Sequence, residues 1–166
     1  TPNTRFLKGY IEELDQLDLE PGSFDLIISN CVINLSTDKP AVFAGVRHLL
    51  KPDGVMHFAD VYAEREVPAA LRTDPILYGE CLAGALSWTD FLAIAKDTGF
   101  DAPELVDHRP LAITDEALIE KLDGLKFVSA TVELRPAGAN SACCKQTGNP
   151  FELPSPHAPS SGKCCG

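Results

Sequence analysis

A strand, a helix and a second strand follow one another between residues 24 and 61, and that order commits the chain to an α/β fold. FDLIIS (24–29) is a short apolar burst set off by the turn Pro21-Gly22-Ser23. Leu26, Ile27 and Ile28 are consecutive, so the expected strand has both faces covered, as in a parallel sheet. Thr37 or Asp38 can cap the helix that follows, just ahead of Pro40. Val42, Phe43, Val46, Leu49 and Leu50 then recur at helical spacing over 41–50. Lys51-Pro52-Asp53-Gly54 is expected to end that helix and turn the chain, and VMHFADV (55–61) reads as a second buried strand. A βαβ unit of this kind takes a right-handed crossover.

The flanks are plainer. Residues 10–19 read as a short helix or a loop and helix, with Leu14 and Leu17 spaced by three. Residues 62–87 are interrupted by Pro68 and Pro75 and loosened by Gly79 and Gly84, and 76–86 is apolar, as in an inserted lid or substrate segment. Ser87-Trp88-Thr89-Asp90 opens a helix over 91–97, with Trp88 expected to anchor the core. Residues 104–106 and 111–113 read as strand with a break at Pro110. Thr114-Asp115-Glu116 resembles a capping box for a helix to Leu122, and 125–134 is the last strand. From Pro136 onward Pro, Gly, Ser, Ala, Asn and Cys dominate, and a disordered tail is expected because little apolar surface is there to offset the ordering entropy. The expected division is 1–61, 62–90, 91–135 and the tail 136–166.

Charge narrows the partners. The net charge is -10 and no cluster of Lys and Arg occurs, which argues against nucleic acid and against an anionic membrane surface. No apolar run approaches the ~20 residues that span a bilayer. The 166 residues begin with Thr1 rather than Met, so a fragment or processed product is expected.

Sulfur is the chemistry that the sequence offers. Cys31 stands where the first strand stops, after Ser29-Asn30, and Cys81 lies alone in YGECLAGALSW. Four more cysteines form two adjacent pairs, Cys143-Cys144 and Cys164-Cys165. A small secreted scaffold distributes its cysteines through the fold, so a reducing cytoplasm and free thiols are expected. Cys31 and Cys81 can be buried small hydrophobes or soft ligands. The tail pairs can hold a soft metal or be incidental, and adjacent cysteines rarely bridge each other.

Three segments carry a resemblance: SNCVINLSTDKPAVFAGVRHLLKPDGVMHFADVY, LRTDPILYGECLAGALSW and LKFVSATVEL. With FDLIISN and AKDTGF they resemble the middle and end of arsenite methyltransferases, within the class I S-adenosylmethionine-dependent methyltransferase superfamily, over roughly residues 5–135. The resemblance implies part of a Rossmann-like sheet, mostly parallel with an antiparallel terminal strand, plus a substrate-binding insertion. It implies that Cys31 and Cys81 hold trivalent arsenic and that S-adenosyl-L-methionine donates the methyl group. Ile11 and Glu12 then lie on the adenine side of the cofactor, and Ser29 and Asn30 on the methionine side. Glu12 also belongs to a run of acids that reads equally as a solvated face. The family's Gly-rich turn, its ribose-gripping acid and its N-terminal cysteines would precede Thr1, and no G-x-G-x-G occurs in the chain. A thiol reductant such as glutathione or thioredoxin and a monomeric state complete the expectation. The alternatives are a methyltransferase acting on carbon or oxygen of a small molecule such as a quinone or sterol, and a non-catalytic As(III)-binding module.

Overall fold

In a computed structural model of the chain, residues 3–138 and 148–152 are described. The elements are β1 (Phe24–Asn30), α1 (Lys39–Leu49), β2 (Leu50–Ala63), α2 (Ala69–Arg72), α3 (Pro75–Gly79), β3 (Leu86–Ser87), α4 (Trp88–Asp97), β4 (Glu104–Pro110), α5 (Glu116–Leu122) and β5 (Phe127–Leu134). Two 3₁₀ turns, Ile11–Gln16 and Ile33–Leu35, precede and follow β1. The sheet runs β1-β2-β5-β4, with β3 paired to β2 off that path.

The strand–helix–strand unit forms as read. Asp38 supplies the cap: its side chain accepts from the Ala41 N–H at 3.0 Å, and Pro40 occupies the first turn, where a missing N–H costs nothing. β1 and β2 are parallel. Residues 51–54 do not leave the sheet, however. Phe24 faces Leu50 and Leu26 faces Val55, so the extra residues of β2 are accommodated as a bulge in one continuous strand. Gly54 permits it, because a Cβ there would stand 2.8 Å from the Phe24 carbonyl oxygen.

The even-numbered residues of β2 from Met56 to Tyr62 face the larger core, in register with Leu134, Val132, Ala130 and Val128 of β5. α1 contributes Val42, Phe43 and Val46 to this side, and α4 contributes Trp88, Phe91 and Ala95. Trp88 therefore anchors the core as expected. On the opposite side Val61, Ala63 and Phe127 join Leu77, Leu82, Leu122 and Leu125 in a second cluster beneath the 62–87 segment and α5. α4 ends in a Schellman motif. Gly99 sits at φ +86, its N–H reaching the Lys96 carbonyl and that of Phe100 the Ala95 carbonyl.

Four further expectations need correction. The sheet is not mostly parallel by pairing: β1·β2 and β2·β3 are parallel, β2·β5 and β4·β5 antiparallel. α5 returns the chain to the end of the sheet it left, so β5 must reverse and insert between β2 and β4. Leu26 and Ile28 are 48% and 69% exposed, because β1 is an edge strand with one face uncovered by any described residue. Residues 111–113 are not strand; β4 runs through Pro110 and stops there. Finally, part of the stretch expected to be disordered is packed. Pro136 is buried and bridges to Phe100, Ala137 donates to the Gly99 carbonyl, and Phe151 packs against the larger core. Residues 139–147 and 153–166 lie outside the described residues.

Tyr62 carries the one buried side-chain polar atom without a hydrogen-bond partner among the described residues, its hydroxyl. Burial raises its pKa well above the usual phenol value, with the Asp60 carboxylate adding to the shift. An unsatisfied buried donor costs about 1–3 kcal/mol. Tyr62→Phe keeps the ring edge-on to Trp88 and is expected to stabilise the fold by about 1 kcal/mol, or about 3 °C in Tm. A drop in Tm on thermal unfolding would show instead that the hydroxyl is satisfied.

Candidate functional site

Cys31 and Cys81 meet at the carboxyl end of β1, where open α/β sheets place their ligands. Cys31 is the residue after Asn30, and its N–H extends the parallel ladder by one more bond, to the Ala59 carbonyl at 2.9 Å. Cys81 follows α3 and donates its N–H to the Tyr78 carbonyl at 3.0 Å. Although 50 positions apart in sequence, they are neighbours: Cys81 Sγ lies 3.7 Å from the Cys31 carbonyl oxygen. Cys31 is exposed and Cys81 half-buried, and both are free thiols.

Both cysteines adopt left-handed backbone, with φ 50 at Cys31 and φ 60 at Cys81. Among the described residues Asp123 alone shares that feature without being glycine. Left-handed backbone costs an ordinary L-residue about 1–2 kcal/mol. Such strain persists where surrounding structure over-determines the conformation, and it gathers at working sites. Here the surrounding structure is the clasp between the loop after β1 and the loop after α3. Tyr78 donates its hydroxyl to the Leu35 carbonyl at 2.6 Å. Gly84 approaches so closely that a Cβ would fall 1.9 Å from the Asn34 carbonyl oxygen.

Beneath the thiols lies a buried carboxylate that sequence reasoning passed over. Asp60 is only 3% exposed and stands in the row Met56, Phe58, Asp60, Tyr62 that faces the core. Its oxygens accept the Val61 N–H at 2.9 Å and the Asn34 N–H at 3.2 Å. Burial nonetheless pushes its pKa up, against those hydrogen bonds and the nearby Lys39 charge. Lys39 is displaced downward, chiefly by its own burial, and donates to the Ser36 carbonyl at 2.9 Å. The signal was legible as a polar residue at an inward position of a period-2 strand.

The same environment sets the thiols. Burial pushes the pKa of Cys31 up, and the Asp60 charge adds to it. Cys81 is raised for the same reasons in the same order, with smaller contributions from Cys31 and Glu80. Both groups are therefore held as thiols rather than thiolates at neutral pH.

The expected cofactor residues fall in two places, the end of β1 and the first 3₁₀ turn. Ser29 is half-buried and Asn30 exposed on β1, immediately before Cys31. Ile11 and Glu12 open the first 3₁₀ turn, and Ile11 packs against the larger core. The Ser36 hydroxyl holds the Glu12 carboxyl below its usual pKa, aided by backbone N–H groups of Glu12 and Thr37 and by the Lys39 charge. Glu12 thus faces the connection that carries Cys31 into α1. Cys143, Cys144, Cys164 and Cys165 lie outside the described residues, and among the described residues no cluster of three metal-binding side chains forms. A cavity of about 250 Å³ with mixed lining lies behind the clasp, bordered by Asn34, Lys39, Arg72, Asp90, Val67 and Leu86. A larger one, about 470 Å³, is walled mainly by apolar residues such as Ile119, Leu122 and Phe127, and neither cysteine lines it. No helix among the described residues is long and apolar enough to cross a membrane.

The arsenite methyltransferase of Aquipseudomonas alcaligenes is 50% identical over 146 residues, covering 88% of this chain and 42% of the relative. That of Rattus norvegicus is 44% identical over 134 residues, covering 81% of this chain and 36% of its own length. The chain therefore spans about two fifths of the curated relatives it matches. A crystal structure of an arsenic(III) S-adenosylmethionine methyltransferase from Chlamydomonas reinhardtii superimposes with a TM-score of 0.74 at 45% identity, over 78% of this chain and 43% of that one. A sequence profile described as a methyltransferase domain matches residues 1–99. With the open α/β sheet and the strand-end site already in place, that match shows that the chain belongs to the methyltransferase domain family.

Proposed function

We propose that the chain carries the thiol site and part of the cofactor edge of an arsenite methyltransferase, which moves methyl groups from S-adenosyl-L-methionine to thiol-bound trivalent arsenic. The observation that carries this reading is the meeting of Cys31 and Cys81 at the carboxyl end of β1. The names of the relatives that share most of this chain support it. The segment 62–90 acts as the arsenic-binding part, because it delivers Cys81 to the strand that bears Cys31.

Arsenic(III) is soft and thiophilic, and paired sulfur ligands suit it. Two neutral thiols condense with As(OH)3 to form two As–S bonds, and two water molecules leave. No net proton is released, so raised thiol pKa values do not oppose capture. With S-adenosylmethionine bound, its methyl carbon would pass to the arsenic lone pair, the As–C bond forming as the methyl–sulfonium bond breaks and that bonding pair stays on the thioether sulfur. A lone pair carries no proton, so no general base is needed near Cys31. The protein's tasks are to hold the arsenic, orient it and exclude water.

The residues present suit two parts of S-adenosylmethionine, its amino-acid end and its adenine end. Asn30 and Ser29 stand at the strand end for its polar amino-acid part, and Glu12 offers a carboxylate beside the half-buried Ile11. When bound, the cofactor supplies an electrophilic sulfonium methyl. Each transfer oxidises arsenic formally by two electrons, so a further round needs two thiols of a reductant such as glutathione or thioredoxin, which leave as a disulfide. That requirement and the free cysteines favour a reducing cytoplasm, and the reaction needs no second copy of the chain, so a monomer suffices.

Incubating the protein with arsenite, S-adenosylmethionine and glutathione, then separating the arsenicals chromatographically, tests this directly. Mono- or dimethylated arsenic is the expected product. Cofactor turnover without any methylated arsenical would end the proposal.

A further inference from the structure

We propose that Asn34 is the positioning residue that sets the span between the two thiols, by tying the Cys81 carbonyl to strand β2 beside Cys31. The proposal rests on the reading of Cys31 and Cys81 as a joint arsenic site and goes beyond it, because Asn34 touches neither sulfur.

Asn34 is 4% exposed, in the 3₁₀ turn between Cys31 and α1. Its side-chain amide has two N–H donors, and both are used. One reaches the Val61 carbonyl at 2.7 Å, the other the Cys81 carbonyl at 3.2 Å. Its own N–H is held by Asp60 Oδ2 at 3.2 Å. One residue therefore links three places: the loop that starts at Cys31, the strand that holds that loop, and the residue bearing the second thiol. On its other side the Asn34 carbonyl is in contact with Gly84, where no side chain fits. The Cys81 loop is thus pinned at its carbonyl and three residues later.

Chelation depends on this pinning. Once one sulfur has bound arsenic, the second binds at an effective concentration set by how well its position is held. A loosened Cys81 loop lowers that concentration while leaving each sulfur as reactive as before. The residue acts on pairs, not on single thiols, which separates positioning from chemistry.

Phenylarsine oxide reads the difference, since PhAs=O and two thiols give PhAs(SR)2 and one water. The experiment uses the 166-residue chain with Ser at the four tail cysteines, titrated with phenylarsine oxide, beside iodoacetamide alkylation of each thiol and circular dichroism. Asn34→Ser keeps a hydroxyl on a shorter side chain and loses the reach to the Cys81 carbonyl; Asn34→Ala removes the polar group altogether. Expected is a fall of at least ten-fold in phenylarsine oxide affinity for either variant, with iodoacetamide rates within about three-fold and folded spectra. Wild-type affinity in both folded variants overturns the proposal, as does loss of the folded signal in both, which makes Asn34 a structural requirement. Failure of the underlying two-thiol reading looks different: Cys31→Ser and Cys81→Ser would then bind phenylarsine oxide as well as the parent.

Discussion

Replacing either Cys31 or Cys81 by serine is expected to lower arsenite methylation at least 100-fold, with the fold intact. The size follows from chelation. Two linked contacts exceed one by about 10²–10⁴ in avidity, and each ten-fold step is about 1.4 kcal/mol. Serine removes the soft ligand, and an As–O bond exchanges with water. It leaves the backbone problem unchanged, since serine is no more at home at φ 50 or φ 60 than cysteine. The substitution therefore tests chemistry and not strain. The measurement is initial rate of methylated arsenic for each single variant and for the double variant. Because the two sulfurs act as one site, the double variant should be little worse than either single one. Activity near wild type in the single variants would remove arsenic from the site and favour an acceptor on carbon or oxygen of a small molecule.

The second large effect concerns the core. Phe91→Ala is expected to destabilise the protein by about 4 kcal/mol, read as a fall of more than 10 °C in Tm. Phe91 is fully buried and is the hub of the aromatic cluster. Its ring centroid lies 6.0 Å from Phe43, 5.8 Å from Phe58, 5.1 Å from Tyr62 and 5.2 Å from Trp88. These are tilted and edge-on contacts within the favourable range for aromatic pairs. The four neighbours come from α1, β2 and α4, so the vacancy cannot close without moving a helix against the sheet. Phe91→Leu should recover most of the loss, since it restores volume though not ring contacts. A cost below about 1 kcal/mol for Phe91→Ala on denaturant unfolding would mean that α4 packs differently.

The two changes should be nearly independent in stability. Phe91 lies inside the larger core, while the cysteines sit at the sheet's rim, and distant sites add.

Local chemistry determined much of this protein. The cap at Asp38, the spacing of Val42, Phe43, Val46 and Leu49, the cap at Ser87 and the Thr98-Gly99 stop are short-range signals. Each acts within a few residues, so each was legible in the chain. The candidates for chemistry were legible for the same reason, because cysteine stands out by type. Apart from residues 111–113, which are not strand, the wrong expectations concern partners rather than elements. Whether Leu26 and Ile28 are covered depends on which strands flank β1. Whether residues 51–54 leave the sheet depends on the β1 register across from them. Whether Pro136 and Phe151 pack depends on Phe100 and the core.

The site shows the same division. Cys31, Cys81, Asp60 and Asn34 are all present in the sequence, but nothing local says that they belong together. Tertiary structure brought the loop after α3 onto the loop after β1, with Gly84 allowing the approach and Asn34 bridging it. Periodicity and capping act over a turn of helix or a pair of strand residues, whereas contact across 50 residues is decided by which apolar faces bury each other. That burial set the distance between the sulfurs, and only folded coordinates contain it.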